Sequence, residues 1–175
     1  MIKAPPTSKK RVAIFIDAAN IFYSTQTLGW KLDYQKFLDY WKRKGRFTGA
    51  YFYTAVISTR TKQLKFYKAL EKIGYEVITK ELKVIRDRRN KITVHKGNFD
   101  VKLAMDVVLK AKKFDIAVLA SGDSDFEPLV KYLRDIQKKV IVVSSRGHIS
   151  RELIKCANQY LPLERIRDEV KKDIL

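Results

Sequence analysis

Residues 114–130, FDIAVLASGDSDFEPLV, decide how this chain is read. Ile116 to Ala120 is an unbroken apolar run of strand length, the pattern of a strand covered on both faces. Ser121-Gly122 breaks the run, and Asp123 and Asp125 follow at once. A helix is expected over 125–137, opened by Asp125 and Pro128 in its first turn. Part of this acidity has a structural explanation, because Ser124 with Glu127 three residues on reads as a capping box. Capping leaves the neighbouring Asp123 and Asp125 without a joint purpose. Near the start, Val12 to Ile16 is a second apolar run, and it ends on Asp17. In open α/β sheets ligands bind outside the carboxyl ends of the strands, where strand order reverses, so two strands ending on carboxylates suggest a site.

Working outward, residues 1–10 form a basic, Pro-containing tail, 11–165 a single domain, and 166–175 a charged C-terminal helix. Strands are expected at 11–16, 48–57, 75–79, 114–120 and 139–143. Helices are expected after Asp17, over 32–43 with Asp33 as N-cap, over 60–73 ending at Gly74, over 98–113, and from Ser150 to Asn158. Residues 80–97 differ in character: they carry seven Lys/Arg against two acids, with Leu82, Val84, Ile92 and Val94 alternating around a polar turn. That is the pattern of a small basic hairpin. Strands alternating with helices imply an α/β fold on a mainly parallel sheet.

Charge is the strongest compositional fact. The 175 residues hold 37 Lys+Arg against 19 Asp+Glu, a net charge of +18. An excess of this size in a folded domain points to a polyanion, most often nucleic acid. The lone Cys156 excludes an internal disulfide and a cysteine zinc site, and fits a small buried hydrophobe. No stretch is long and apolar enough to span a membrane, and the start lacks a signal-peptide core, so a cytoplasmic location with no membrane partner is expected.

In the helix expected over 98–113, Leu103, Ala104, Val107, Val108 and Ala111 form the apolar face at about 100° per residue. Asp100 falls near the middle of that face and Asp106 off its edge. A carboxylate aimed at a core is costly unless it is paired or bound to a cation, although Asn98 or Asp100 as helix cap is the simpler alternative. Asp17, Asp100, Asp123 and Asp125 would together gather carboxylates at one rim, an arrangement that calls for shared protons or bound cations. All-oxygen ligation suits Mg²⁺ or Mn²⁺. His95 and His148 are solitary and make no zinc set. Asn20, one helical turn after Asp17, orients either a ligand or nearby backbone.

The segments IDAANIF, FDVKLAMD and ASGDSDFEPLV together resemble the NYN domain, the LabA-like branch of the PIN-like nucleases. The resemblance covers roughly residues 11–165; where the family commonly has Gly after the first aspartate, this chain has Ala18-Ala19. It implies a three-layer α/β/α fold with a five-stranded sheet of order 3-2-1-4-5. It also implies metal-dependent RNA cleavage. The matching catalytic positions are Asp17, Asn20, Asp100, Asp123 and Asp125, with Mg²⁺ or Mn²⁺ on the four aspartates. Asp106 and Ser121 would support these from behind. Arg86, Arg88, Arg89, Lys91, Lys96 and Arg146 would hold RNA, expected to be single-stranded, and rim Tyr and Phe would stack on its bases. Homo-oligomerisation is compatible with this reading. Two rivals come from other classes: an RNA-binding module of the same fold without turnover, and a receiver-type phosphoryl-transfer domain. The second lacks support, because no acid pair follows the first strand and no Gly-rich phosphate loop is present.

Overall fold

The computed structural model describes residues 9–56, 61–81, 84–86, 92–94 and 99–173. β1 (Arg11–Asp17) leads into α1 (Ala18–Thr27) and α2 (Tyr34–Lys44), followed by β2 (Arg46–Val56), α3 (Thr61–Ile73) and β3 (Glu76–Glu81). The short strands β4 (Val84–Arg86) and β5 (Ile92–Val94) pair antiparallel, as the alternation implied. Then come α4 (Asp100–Leu109), β6 (Ile116–Ala120), α5 (Glu127–Asp135), β7 (Lys139–Ser144), α6 (Arg151–Cys156), β8 (Gln159–Pro162) and α7 (Arg167–Val170). No helix among the described residues is long and apolar enough to cross a membrane.

The main sheet is parallel throughout, in the order β3-β2-β1-β6-β7-β8. The expected core order is present, with one correction: there are six strands, not five. β8 occupies the residues between the helix expected to end at Asn158 and the one expected after it. The α6 helix stops at Cys156, and the QYLP segment pairs beside β7. Of the helix expected over 166–175, the described residues hold the single turn of α7, preceded by a 3₁₀ turn, Leu163–Ile166. Residues 1–8 of the basic tail lie outside the described residues.

Every β1 residue from Val12 to Ile16 is buried, because helices cover both sheet faces. Val12, Ile14 and Ile16 face a core shared with α1, α2, α3 and α7, while Ala13 and Phe15 face one shared with α4, α5 and α6. By the same period of two, Asp17 and Ser121 emerge on the α4 side. Chain order runs outward from β1 through β2 and β3, and the other way through β6, β7 and β8. The reversal therefore falls between β1 and β6, where Ile16 pairs with Ala120.

Candidate metal centre

Asp17 is both the last residue of β1 and the N-cap of α1. Its Oδ1 accepts from the N–H groups of Ala19 (3.1 Å) and Asn20 (3.2 Å), two donors that a helix start leaves unsatisfied. Across the strand boundary, the Ser121 hydroxyl donates to Asp17 Oδ2 at 2.9 Å. The same hydroxyl accepts from the Asp123 N–H at 3.3 Å. One fully buried oxygen thus ties the end of β1 to the turn after β6.

That turn differs from the capping box read in the sequence. Ser124–Phe126 is a 3₁₀ turn, and α5 starts at Glu127 with Phe126 at its N-cap and no side-chain cap bond. Glu127 pairs forward with Lys131 instead, at 2.7 Å. The capping carboxylate is Asp123, whose Oδ1 accepts from the Asp125 N–H at 3.0 Å. This bond folds the SGDSD segment back so that the Asp123 and Asp125 carboxylates stand side by side.

Asp100 opens α4 in its first turn. The N-cap there is Phe99, without a side-chain cap bond. One carboxylate oxygen from each of Asp100, Asp123 and Asp125 lies within 4.8 Å of the others. Donors on an octahedral Mg²⁺ are about 3 Å apart in cis positions and about 4.2 Å apart across the ion, so the three oxygens would draw together around such an ion. All three donors are hard carboxylate oxygens, the chemistry that Mg²⁺ and Mn²⁺ prefer. Asp17 is outside this trio but within its field. Burial raises the Asp17 pKa, and the Asp123 charge adds to that against the N–H and hydroxyl donors that lower it. Asp100 is also raised, first by burial and then by the charges of Asp17, Asp123 and Asp125. Asp17 and Asp100 are thus harder to ionise partly because neighbouring carboxylates are there, the condition that a bound cation relieves.

Behind the carboxylates, besides Ser121, is a polar layer in which sequence reasoning had singled out Asn20 alone. Asn20 Oδ1 accepts from the Gly122 N–H at 3.0 Å and from the Ser144 hydroxyl at 3.3 Å. Ser144 also lies within hydrogen-bond reach of the His148 carbonyl (3.1 Å) and the Ser24 hydroxyl (3.3 Å). With one proton, the Ser144 hydroxyl can donate to only one of these acceptors at a time. His148 Nε2 meets Thr27 Oγ1 at 2.8 Å, which pins the loop after β7 to α1. Gly122 is required at the crossing point, because a Cβ there would collide with the His148 carbonyl. The available signal for Ser144 was its place at the end of an apolar strand, the same signal that exposed Asp17.

Asp106 is corrected. It is not at the edge of the α4 face but 5 % exposed, and accepts from the Tyr53 hydroxyl at 3.2 Å and from Lys102 Nζ at 2.6 Å. These two donors make burial of the carboxylate tolerable. Burial, and then the Asp106 charge, push the Tyr53 phenol up. Asp106 is not one of the three clustered carboxylates, and its bond to Tyr53 ties α4 to β2. Arg146 is exposed on the loop after β7, its N–H bonded to Glu164. Arg86 lies in β4, whereas Arg88, Arg89, Lys91 and Lys96 lie outside the described residues.

The family model of the NYN domain matches residues 11–164. This chain belongs to the NYN domain family. Its NYN relatives include the low amplitude and bright protein LabA of Synechococcus elongatus, 36% identical over 165 residues that cover 93% of this chain and 88% of that protein. A crystal structure of a protein of unknown function from Vibrio parahaemolyticus superposes with a TM-score of 0.79 at 28% identity, covering 97% of this chain and all of that one. The matched segment ends within the 3₁₀ turn after β8, so the sixth strand belongs to the NYN unit.

Proposed function

We propose that this NYN chain is a ribonuclease that hydrolyses phosphodiester bonds of single-stranded RNA with Mg²⁺ or Mn²⁺. The observation that carries the reading is the convergence of the Asp100, Asp123 and Asp125 oxygens within 4.8 Å at the point where strand order reverses. These three residues would hold the ion, with Asp17 adding negative charge behind them. When bound, the ion lowers the pKa of a coordinated water and neutralises charge developing on the phosphate. The chain's own residues set the geometry. Ser121 fixes Asp17 against the acidic turn, and Asp123 orders the turn that presents Asp125. Asn20, whose Oδ1 accepts from the Gly122 N–H, fixes the turn that carries Asp123. Basic residues of the hairpin and Arg146 supply the attraction for the RNA backbone.

The test is cleavage of end-labelled single-stranded RNA in EDTA, Mg²⁺ and Mn²⁺, by wild type and by Asp123→Asn. Cleavage restored by metal and lost in the variant supports the nuclease. RNA binding without any metal-dependent cleavage would replace it with the non-catalytic binding module.

A further inference from the structure

The parallel strands aim their carboxyl ends at the acidic cluster, so their amino ends share the opposite rim. That rim is basic. Lys10 precedes β1, and its carbonyl accepts from the Arg46 N–H that opens β2. Lys112 and Lys113 precede β6, and the Lys112 carbonyl accepts from Arg11 Nη1 at 2.9 Å. Lys138 and Lys139 open β7, where the Lys139 N–H bonds the Asp115 carbonyl at 3.0 Å. Beside them is an open groove of about 920 Å³ lined by Lys131, Arg134, Lys138 and Lys139, with Asp135 its one carboxylate. From Lys139 to Ser144 the length of β7 separates this rim from the acidic one, about 17 Å at the rise of a parallel strand.

Some of these cations have structural work. Arg134 donates to the Cys156 carbonyl, Lys138 to the Phe114 carbonyl, and Lys131 pairs with Glu127. Asp115 is taken by Arg11 at 2.8 Å. Among the described residues, Lys112, Lys113 and Lys139 are exposed and meet no carboxylate. Helix-end electrostatics does not explain Lys139, which is on a strand. A cluster of unneutralised ammonium groups holds mobile anions, and a chain of phosphates displaces them with a gain from counterion release. Tyr132 on α5, 43 % exposed, offers a ring on the helix that walls the groove.

We propose that this amino-end rim is a second nucleic-acid surface, over which the phosphates of a long RNA run against Lys112, Lys113 and Lys139. From the proposed function it takes only that the ligand is RNA; it requires no cleavage. The experiment is fluorescence anisotropy in EDTA with the full chain and labelled RNAs of about 4 and about 20 nucleotides, across a salt series. Lys112→Glu/Lys113→Glu/Lys139→Glu should weaken the long RNA about tenfold or more. It should also lower the salt slope by roughly 2, at about 0.7 per phosphate contact. The short RNA should keep its affinity within about twofold, because the basic hairpin and Arg146 suffice for it. The Gln triple variant, which removes charge without reversing it, should show a smaller effect of the same sign. Unchanged long-RNA affinity and slope would overturn the proposal alone. So would equal weakening of both lengths, which marks a loss of general field. Failure of wild type to bind either RNA would overturn it together with the RNA reading of the whole protein.

Discussion

Asn20 and Gly122, 102 residues apart, are joined at 3.0 Å, the Gly122 N–H donating to the Asn20 side-chain oxygen. This bond crosses the reversal point and fixes the turn that carries Asp123 against the helix that follows Asp17. Asn20→Ala removes the acceptor and leaves the backbone N–H of the buried Gly122 unsatisfied. The expected cost is about 1–2 kcal/mol, or roughly 2–8 °C in Tm for a chain of this length. Thermal unfolding in EDTA measures it. A cost of zero would mean that water replaces the amide and that Asn20 serves only a ligand.

Asp100 yields a pH signature. Its pKa is raised in the folded protein, chiefly by burial and then by neighbouring carboxylates. Between the unfolded and folded pKa values the native state therefore binds more protons than the unfolded one. Stability without metal accordingly falls as pH rises through that window. Asp100→Asn removes this titration, so its stability relative to wild type should grow from about pH 4 upward and level off above the folded pKa. Asp115 acts with the opposite sign: Arg11 holds it at about 2, so its contribution is lost only below the ordinary carboxylate range. Denaturant melts of both proteins from pH 3 to 8, compared at each pH, test the difference. A flat difference would remove Asp100 from the cluster's electrostatics.

The sheet was legible because its strands are apolar runs that end on polar punctuation, and five of them satisfied that rule. β8 did not, since QYLP is short, contains Pro and follows a helix without a clear stop. In the site, Asp100 was visible as a carboxylate on an apolar face. Asp106 was misread because its partner Tyr53 lies 53 residues away on β2, and helical periodicity carries no information about such a donor. Ser144 was equally hidden: a serine after an apolar strand reads as a turn until Asn20 and His148 are placed around it.

The hairpin predicts a second salt effect, separate from that of the amino-end rim. Neutralising Arg86, Arg88, Arg89 and Lys91 together should flatten the dependence of log K on log salt for short RNA by up to about 0.7 per lost phosphate contact. Titrations in EDTA at several salt concentrations measure the slope. An unchanged slope would move short-RNA binding away from residues 84–94.

Asp123→Asn separates the metal reading of the acidic turn from the structural one. Asn accepts at an N-cap about as well as Asp, so the bond to the Asp125 N–H should survive the change. Only the charge is lost, and with it the repulsion toward Asp17 and Asp100. Without metal, the variant should therefore match or exceed wild-type stability. With metal the order should reverse. An ion that binds only the folded state adds RT ln(1 + [L]/Kd), about 2.7 kcal/mol at a hundredfold excess over Kd. Wild type should gain in Tm with Mn²⁺ at fixed ionic strength, and Asp123→Asn should lose most of that gain. Asp123→Ala completes the comparison, because it removes cap and charge together and should cost about 0.5–2 kcal/mol relative to Asn in EDTA. If wild type shows no Mn²⁺ shift, and in EDTA Ala is destabilising while Asn matches wild type, the turn is a cap and nothing more.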